Sequence, residues 1–155
     1  MLRDPNLVPL SRQHQHALAL CVRIERAPDG DPLPWMEEME QHFAQEIRFH
    51  FAAEEEVLFP RARRFAELAP LVDDLSAEHA VLREMFATAA RRELSLEAVK
   101  EFGRQLAAHI RKEERQLFER LQELLPPGEM KEAGELLAKA LEQAAVACTL
   151  PRPKP

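Results

Sequence analysis

His50-Phe51-Ala52-Ala53-Glu54-Glu55-Glu56-Val57-Leu58-Phe59 and His109-Ile110-Arg111-Lys112-Glu113-Glu114-Arg115-Gln116-Leu117-Phe118 are one phrase written twice, HxxxEExxLF. Upstream, Phe43 and Ile47 match Phe102 and Leu106. On a helix, residues four apart lie about 40° apart around the axis and about 6 Å apart along it. Each HxxxE pair therefore presents a ring nitrogen and a carboxylate to the same point. A shorter phrase also recurs: Leu10-Ser11-Arg12-Gln13-His14 resembles Leu75-Ser76-Ala77-Glu78-His79, or LSxxH. Each half of the chain thus reads LSxxH, a connection, then HxxxEExxLF. Two helical hairpins related by a pseudo-twofold axis would bring all four segments to one centre.

The composition agrees with an all-α chain. Of 155 residues, 46% are hydrophobic and 31% charged, with Gly 4 and Tyr 0. Such a chain suits helices and excludes all-β, collagenous and disulfide-scaffold classes. Ser11 reads as the N-cap of a first helix running to about Arg26, and Ala27 to Pro34 as a loop. A second helix is expected from Trp35 to Phe59, where Pro60 ends or kinks it. A third runs from Leu71 to Arg92, and Ser95 caps a fourth from Leu96 to Leu125. Pro126-Pro127-Gly128 stops it, and a fifth spans Glu129 to Cys148 before a Pro-rich, disordered tail from Pro151 to Pro155. Four amphipathic helices with short connections predict an antiparallel up-down four-helix bundle over residues 1–125. Residues 126–155 form an additional C-terminal helix and tail. That helix carries Met130, Ala133, Leu137, Leu141 and Ala144 on one stripe, which either caps the bundle or makes a homodimer interface.

Net charge is −6, a poor match for nucleic acid or an anionic membrane. No apolar run approaches the ~20 residues needed to span a bilayer, and the start has no secretory signal pattern. Cys21 and Cys148 form no CxxC and read as reduced thiols of a cytoplasmic protein.

Polar residues interrupt the apolar stripes at matching places. His14 lies among Leu10, Ala17, Leu18 and Cys21, and His79 among Leu75, Leu82 and Phe86. His50 and Glu54 follow Ile47, and His109 and Glu113 follow Leu106. Burying such groups costs several kcal/mol unless something compensates. Four imidazoles and two carboxylates suit two divalent metals, each carboxylate bridging the ions, with room for an oxo or hydroxo bridge and an open position. Imidazole with carboxylate suits Fe, Mn or Zn and excludes a calcium-type site. His16, about 200° from His14 on the helix, competes with it and reads as a surface residue. His42 is expected to be exposed or to support a ligand. Glu46, Glu56 and Glu78 read as surface acids, of which one orients a ligand His. Arg61-Ala62-Arg63-Arg64 reads as a solvated face. The Glu-x-x-His pairs of ferritin-like proteins are absent, and without tyrosine there is no tyrosyl radical.

The ordered set His14, His50-x-x-x-Glu54 with Leu58-Phe59-Pro60, His79, and His109-x-x-x-Glu113 resembles the hemerythrin-like, or HHE cation-binding, domain over about residues 7 to 125. The resemblance implies a four-helix bundle around a non-haem di-iron centre, with zinc or manganese as substitutes. It also implies binding or sensing of dioxygen, nitric oxide or peroxide. Oxygen-carrying hemerythrins have HxxxH on the third helix and HxxxxD on the fourth. Here Arg83 stands four after His79, Leu75 four before it, and the fourth helix has HxxxE. These departures place the resemblance with the divergent HHE branch. The competing expectation is a helical interaction module whose metal site is structural or vestigial.

Overall fold

A computed structural model describes the backbone of residues 1–149 and the side chains through residue 144. The described residues form five helices and no strand. α1 is Val8–Glu25. α2 is one continuous run of Leu33–His42, Phe43–Ile47, Arg48–Ala53, Glu54–Leu58 and Phe59–Arg63. α3 is Ala69–Ala90. α4 is the run Leu96–Lys112, Glu113–Phe118 and Glu119–Leu124, and α5 is Pro127–Thr149. The tail from Pro151 to Pro155 and the Cys148 side chain lie outside the described residues.

The helix ends follow local chemistry, with some departures from the sequence reading. Ser95 caps α4 as expected, its Oγ accepting from the Ala98 amide at 3.1 Å. Ser11 is not a cap. α1 begins at Val8, with Pro9 in its first turn, where a missing amide hydrogen costs nothing. The Ser11 hydroxyl instead donates to Glu114 Oε1 at 2.7 Å. α3 ends in a Schellman turn with Arg92 left-handed at φ 62°, the Glu93 amide reaching the Thr88 carbonyl. Arg92 accepts that backbone while its guanidinium binds Glu40 Oε2 at 2.6 Å.

Pro60 does not end α2. It follows the π turn Glu54–Leu58, where the Phe59 amide reaches back to the Glu54 carbonyl. Arg61 Nη1 donates to the Val57 carbonyl at 2.9 Å, supplying a donor beside the proline. A matching π turn, Glu113–Phe118, occupies the same place in α4. The wider turns rotate the following residues. Val57, Leu58 and Phe59 are therefore all buried in succession, as are Leu117 and Phe118.

Two apolar clusters fill the interior. One holds Leu10, Val57, Leu58, Leu75, Leu117 and Leu121. The other holds Leu20, Ile47, Phe51, Leu82, Phe86, Phe102 and Leu106. α1 runs from the first cluster into the second, α2 returns, α3 goes up again and α4 comes back. This alternation is the up-down bundle read from the repeat. On every one of these helices the polar residues of the repeat sit between the two clusters.

α5 lies along α2 and buries its stripe within the chain. Met130, Ala133, Leu137 and Leu141 join the first cluster. Arg64 meets Glu129 at 2.9 Å and Arg61 meets Glu132 at 3.7 Å, while Arg63 pairs with Asp73. The arginine run is thus a face tied by ion pairs, with only Ala62 turned inward. Cys21 is buried, which pushes its thiol up to about 11. Among the described residues no helix is long and apolar enough to cross a membrane.

Candidate metal centre

His14, His50, Glu54, His79, His109 and Glu113 are the only buried polar or charged side chains among the described residues, all at 4% exposure or less. They are also the residues singled out by the repeat. α1 delivers His14, α2 delivers His50 and Glu54, α3 delivers His79, and α4 delivers His109 and Glu113. The competing His16 is exposed and pairs with Glu46 at 3.1 Å. His42 is part-exposed near Glu38 and does not reach the cluster.

The two carboxylates lie between two histidine pairs. Glu54 Oε1 is 2.8 Å from His50 Nε2 and 3.6 Å from His14 Nε2, while Glu54 Oε2 is 3.3 Å from His79 Nε2. Glu113 Oε1 is 3.1 Å from His109 Nε2 and 3.6 Å from His79 Nε2, while its Oε2 is 3.1 Å from His14 Nε2. Each carboxylate therefore turns one oxygen to each pair. The result is two overlapping groups able to hold a metal ion: His14, His50, Glu54, Glu113 and Glu54, His79, His109, Glu113.

The outer ring nitrogens fix the tautomers. His14 Nδ1 lies 2.7 Å from Glu114, His109 Nδ1 2.7 Å from Glu78, and His79 Nδ1 3.4 Å from Glu55. His50 Nδ1 lies 2.8 Å from the Gln13 side-chain oxygen. Each acceptor takes the Nδ1 hydrogen, so a neutral ring offers a bare lone pair at Nε2. His14 Nε2 and His50 Nε2 stand 2.9 Å apart, which needs a proton or cation shared between them. Both oxygens of Glu54, both of Glu113, His79 Nε2 and His109 Nε2 are buried with no hydrogen-bond partner. Groups this close yet not aimed as hydrogen bonds converge on points between them, as ligand atoms do. Leaving so many buried acceptors unmet is costly, and the donor set fits divalent cations.

The electrostatics say the same. Burial and the Glu113 charge would raise Glu54, but His50 and His14 hold its carboxyl well below the usual range. Burial also opposes ionisation of Glu113, and His109, His14 and His79 hold it low. Burial would lower the imidazoles, yet the nearby carboxylates of Glu113, Glu54 and Glu55 lift His79 to about 11. His109 is lifted against burial to about 9, chiefly by Glu113, and His14 rises well above its ordinary value. The core demands positive charge, which protons or metal ions can supply.

Aromatic rings wall the cluster. Phe118 stacks on His14 with centroids 5.5 Å apart, and Phe59 stacks on His79 at 5.3 Å. These are the matching final residues of HxxxEExxLF, each covering the LSxxH histidine of the opposite half. Phe51 stacks closer on His79, at 4.0 Å. A small cavity with about 10 Å³ of room for the centre of a water-sized molecule opens beside His14, His50 and His109, walled by Ala17, Ile47 and Phe51.

Some supporting residues escaped the sequence reading. Glu78 was among the acids expected to orient a histidine. Glu114, Glu55 and Gln13 were not singled out. Their signal lay in the repeat itself: the second Glu of each EE pair, and the residue just before each LSxxH histidine.

The sequence matches the family described as Hemerythrin HHE cation binding domain over residues 8–144. The chain belongs to that family. No curated protein and no solved structure matches it. The match extends past residue 125 through most of α5, in keeping with the apolar residues α5 adds to the first cluster. Arg83, four residues after His79, donates from Nη1 to Glu55 Oε2 at 2.8 Å. This cation steadies the carboxylate that holds His79.

Proposed function

We propose that this protein is a non-haem di-iron HHE protein that binds or senses a small diatomic or peroxide ligand: dioxygen, nitric oxide or hydrogen peroxide. His14, His50, His79 and His109 would hold the ions as terminal ligands, with Glu54 and Glu113 as the carboxylates shared between the two positions. The observation that carries this reading is the division of each buried carboxylate, one oxygen toward each histidine pair. Bound iron supplies the ligand affinity and redox chemistry. The chain's own residues do the rest. Gln13, Glu55, Glu78 and Glu114 orient the rings, and Phe51, Phe59 and Phe118 exclude water. The cavity beside His14 and His50 admits about one water-sized molecule, which favours a very small ligand over an organic substrate. Iron is favoured by the family, since the mixed imidazole and carboxylate donors suit iron, zinc and manganese alike.

The test is metal analysis of the purified protein, with optical spectra under dioxygen, nitric oxide and peroxide. About two irons per chain and ligand-dependent spectral changes are expected. Protein that takes up no metal, or spectra indifferent to all three ligands, would refute the reading. The double variant His50→Ala/His109→Ala tests the competing interaction-module reading. Retained helicity with lost ligand response supports a working site. Collapse of the fold means the metal acts mainly as a structural staple.

A further inference from the structure

The two halves of the centre differ at one supporting position. Gln13 and Glu78 occupy the same place in LSxxH, each just before a histidine of the cluster. Gln13 accepts from His50 at 2.8 Å, and Glu78 accepts from His109 at 2.7 Å. His14 and His79 also donate to carboxylates, of Glu114 and Glu55. Of the four rings, only His50 is held by a neutral acceptor.

That difference reaches the inner nitrogen. A carboxylate draws the Nδ1 proton toward itself and raises electron density at Nε2, making the ring a stronger donor to a cation. A side-chain amide does so less. The three carboxylates are themselves ion-paired, with Arg3, Arg83 and Lys112. This moderates the effect but leaves a formal charge beside each ring.

We infer that Gln13 makes the two metal positions unequal, with the His14/His50 position the weaker and the later filled. The inference rests on the two-ion reading above. The small cavity borders His14 and His50 of one position and His109 of the other, while Phe51 covers His79. Gln13 is a positioning residue, acting through His50.

Two dications repel, so the second ion binds more weakly wherever it goes. Stepwise affinities alone therefore decide nothing. Location and the response to residue 13 do. Metal-free protein is titrated with Co²⁺ and followed by absorption, and crystals given one equivalent are located by anomalous scattering. The first ion should sit between His79 and His109, with the second step weaker by on the order of 10-fold or more. Gln13→Glu should strengthen that second step by on the order of 10-fold and spread the first equivalent over both positions. Gln13→Ala should weaken it. Opposite signs from these substitutions distinguish positioning from packing. Gln13 is half-buried, which leaves room for the charge of Gln13→Glu. Glu78→Gln provides the second approach, weakening the other position and levelling the pair from the opposite side. A first ion at His14/His50, an even distribution in the unsubstituted protein, or a second step indifferent to Gln13→Glu would overturn the inference while the two-ion reading stood. Fewer than two Co²⁺ bound at saturation would sink both.

Discussion

Metal binding should expel protons from this core, and their number can be worked out from the cluster. In the metal-free protein His79 titrates near 11, His109 near 9, and His14 well above its ordinary value. His79 and His109 are therefore charged at pH 7. A metal takes only the neutral ring, so filling the position between His79 and His109 must release up to these two protons. Each released proton makes affinity rise about tenfold per pH unit, so the product of the two binding constants should rise about a hundredfold per unit around neutrality. Above about 9 the slope should ease, because His109 is then already neutral. Titration calorimetry in buffers of different ionisation heat counts the protons directly. Release of less than one proton per pair of ions, or affinities flat between pH 6 and 8, would refute the electrostatic account of the core.

Raised imidazoles stabilise the metal-free fold fully below their ordinary value and lose that contribution as pH rises through about 9 and then about 11. Urea midpoints of metal-free protein should thus fall from pH 7 to 10 while those of loaded protein hold. A rise in the metal-free series would contradict this. Gly134→Ala should destabilise by about 1–3 kcal/mol despite its helix preference, because the added carbon would lie 2.7 Å from Asn6 Cβ and closer still to its side-chain oxygen; a urea curve shifted to higher midpoint would show that Asn6 yields. Phe86→Ala should cost about 3–5 kcal/mol, since this fully buried ring stacks on Phe43 at 4.6 Å and meets Phe102 edge-on at 4.9 Å. Metal content should survive it, and loss of metal along with stability would tie the apolar cluster around Phe86 to the centre.

The bundle and its six central residues were legible because burial of polar groups leaves a mark in an apolar stripe. His14 could be told from His16 by its neighbours alone, and the repeat turned one weak HxxxE signal into a paired one. The supporting carboxylates were harder to see. Glu55 and Glu114 stand in charged runs, where composition cannot distinguish a residue turned to water from one turned to a ring. The π turns left no propensity signal, yet they are why Pro60 is tolerated and why Leu58-Phe59 and Leu117-Phe118 are buried side by side. Ser11 looked like a cap because caps and inward-reaching hydroxyls use the same residue type. Only the position of Glu114, far along the chain, separates the two.

The exchange of supports between the halves makes the molecule interlocked. Glu114 of the second hairpin steadies His14 of the first, and Glu55 of the first steadies His79 of the second. Neither hairpin alone owns a complete cage for a cation. A backbone nick between Arg64 and Leu68, in the link joining α2 to α3, would leave fragments with complementary, individually deficient donor sets, and the ion itself would become the glue of their reunion. Two identical copies of either hairpin would bring together the same kinds of donors, so the arrangement is one that duplication of a half-length ancestor, already working as a pair, would produce.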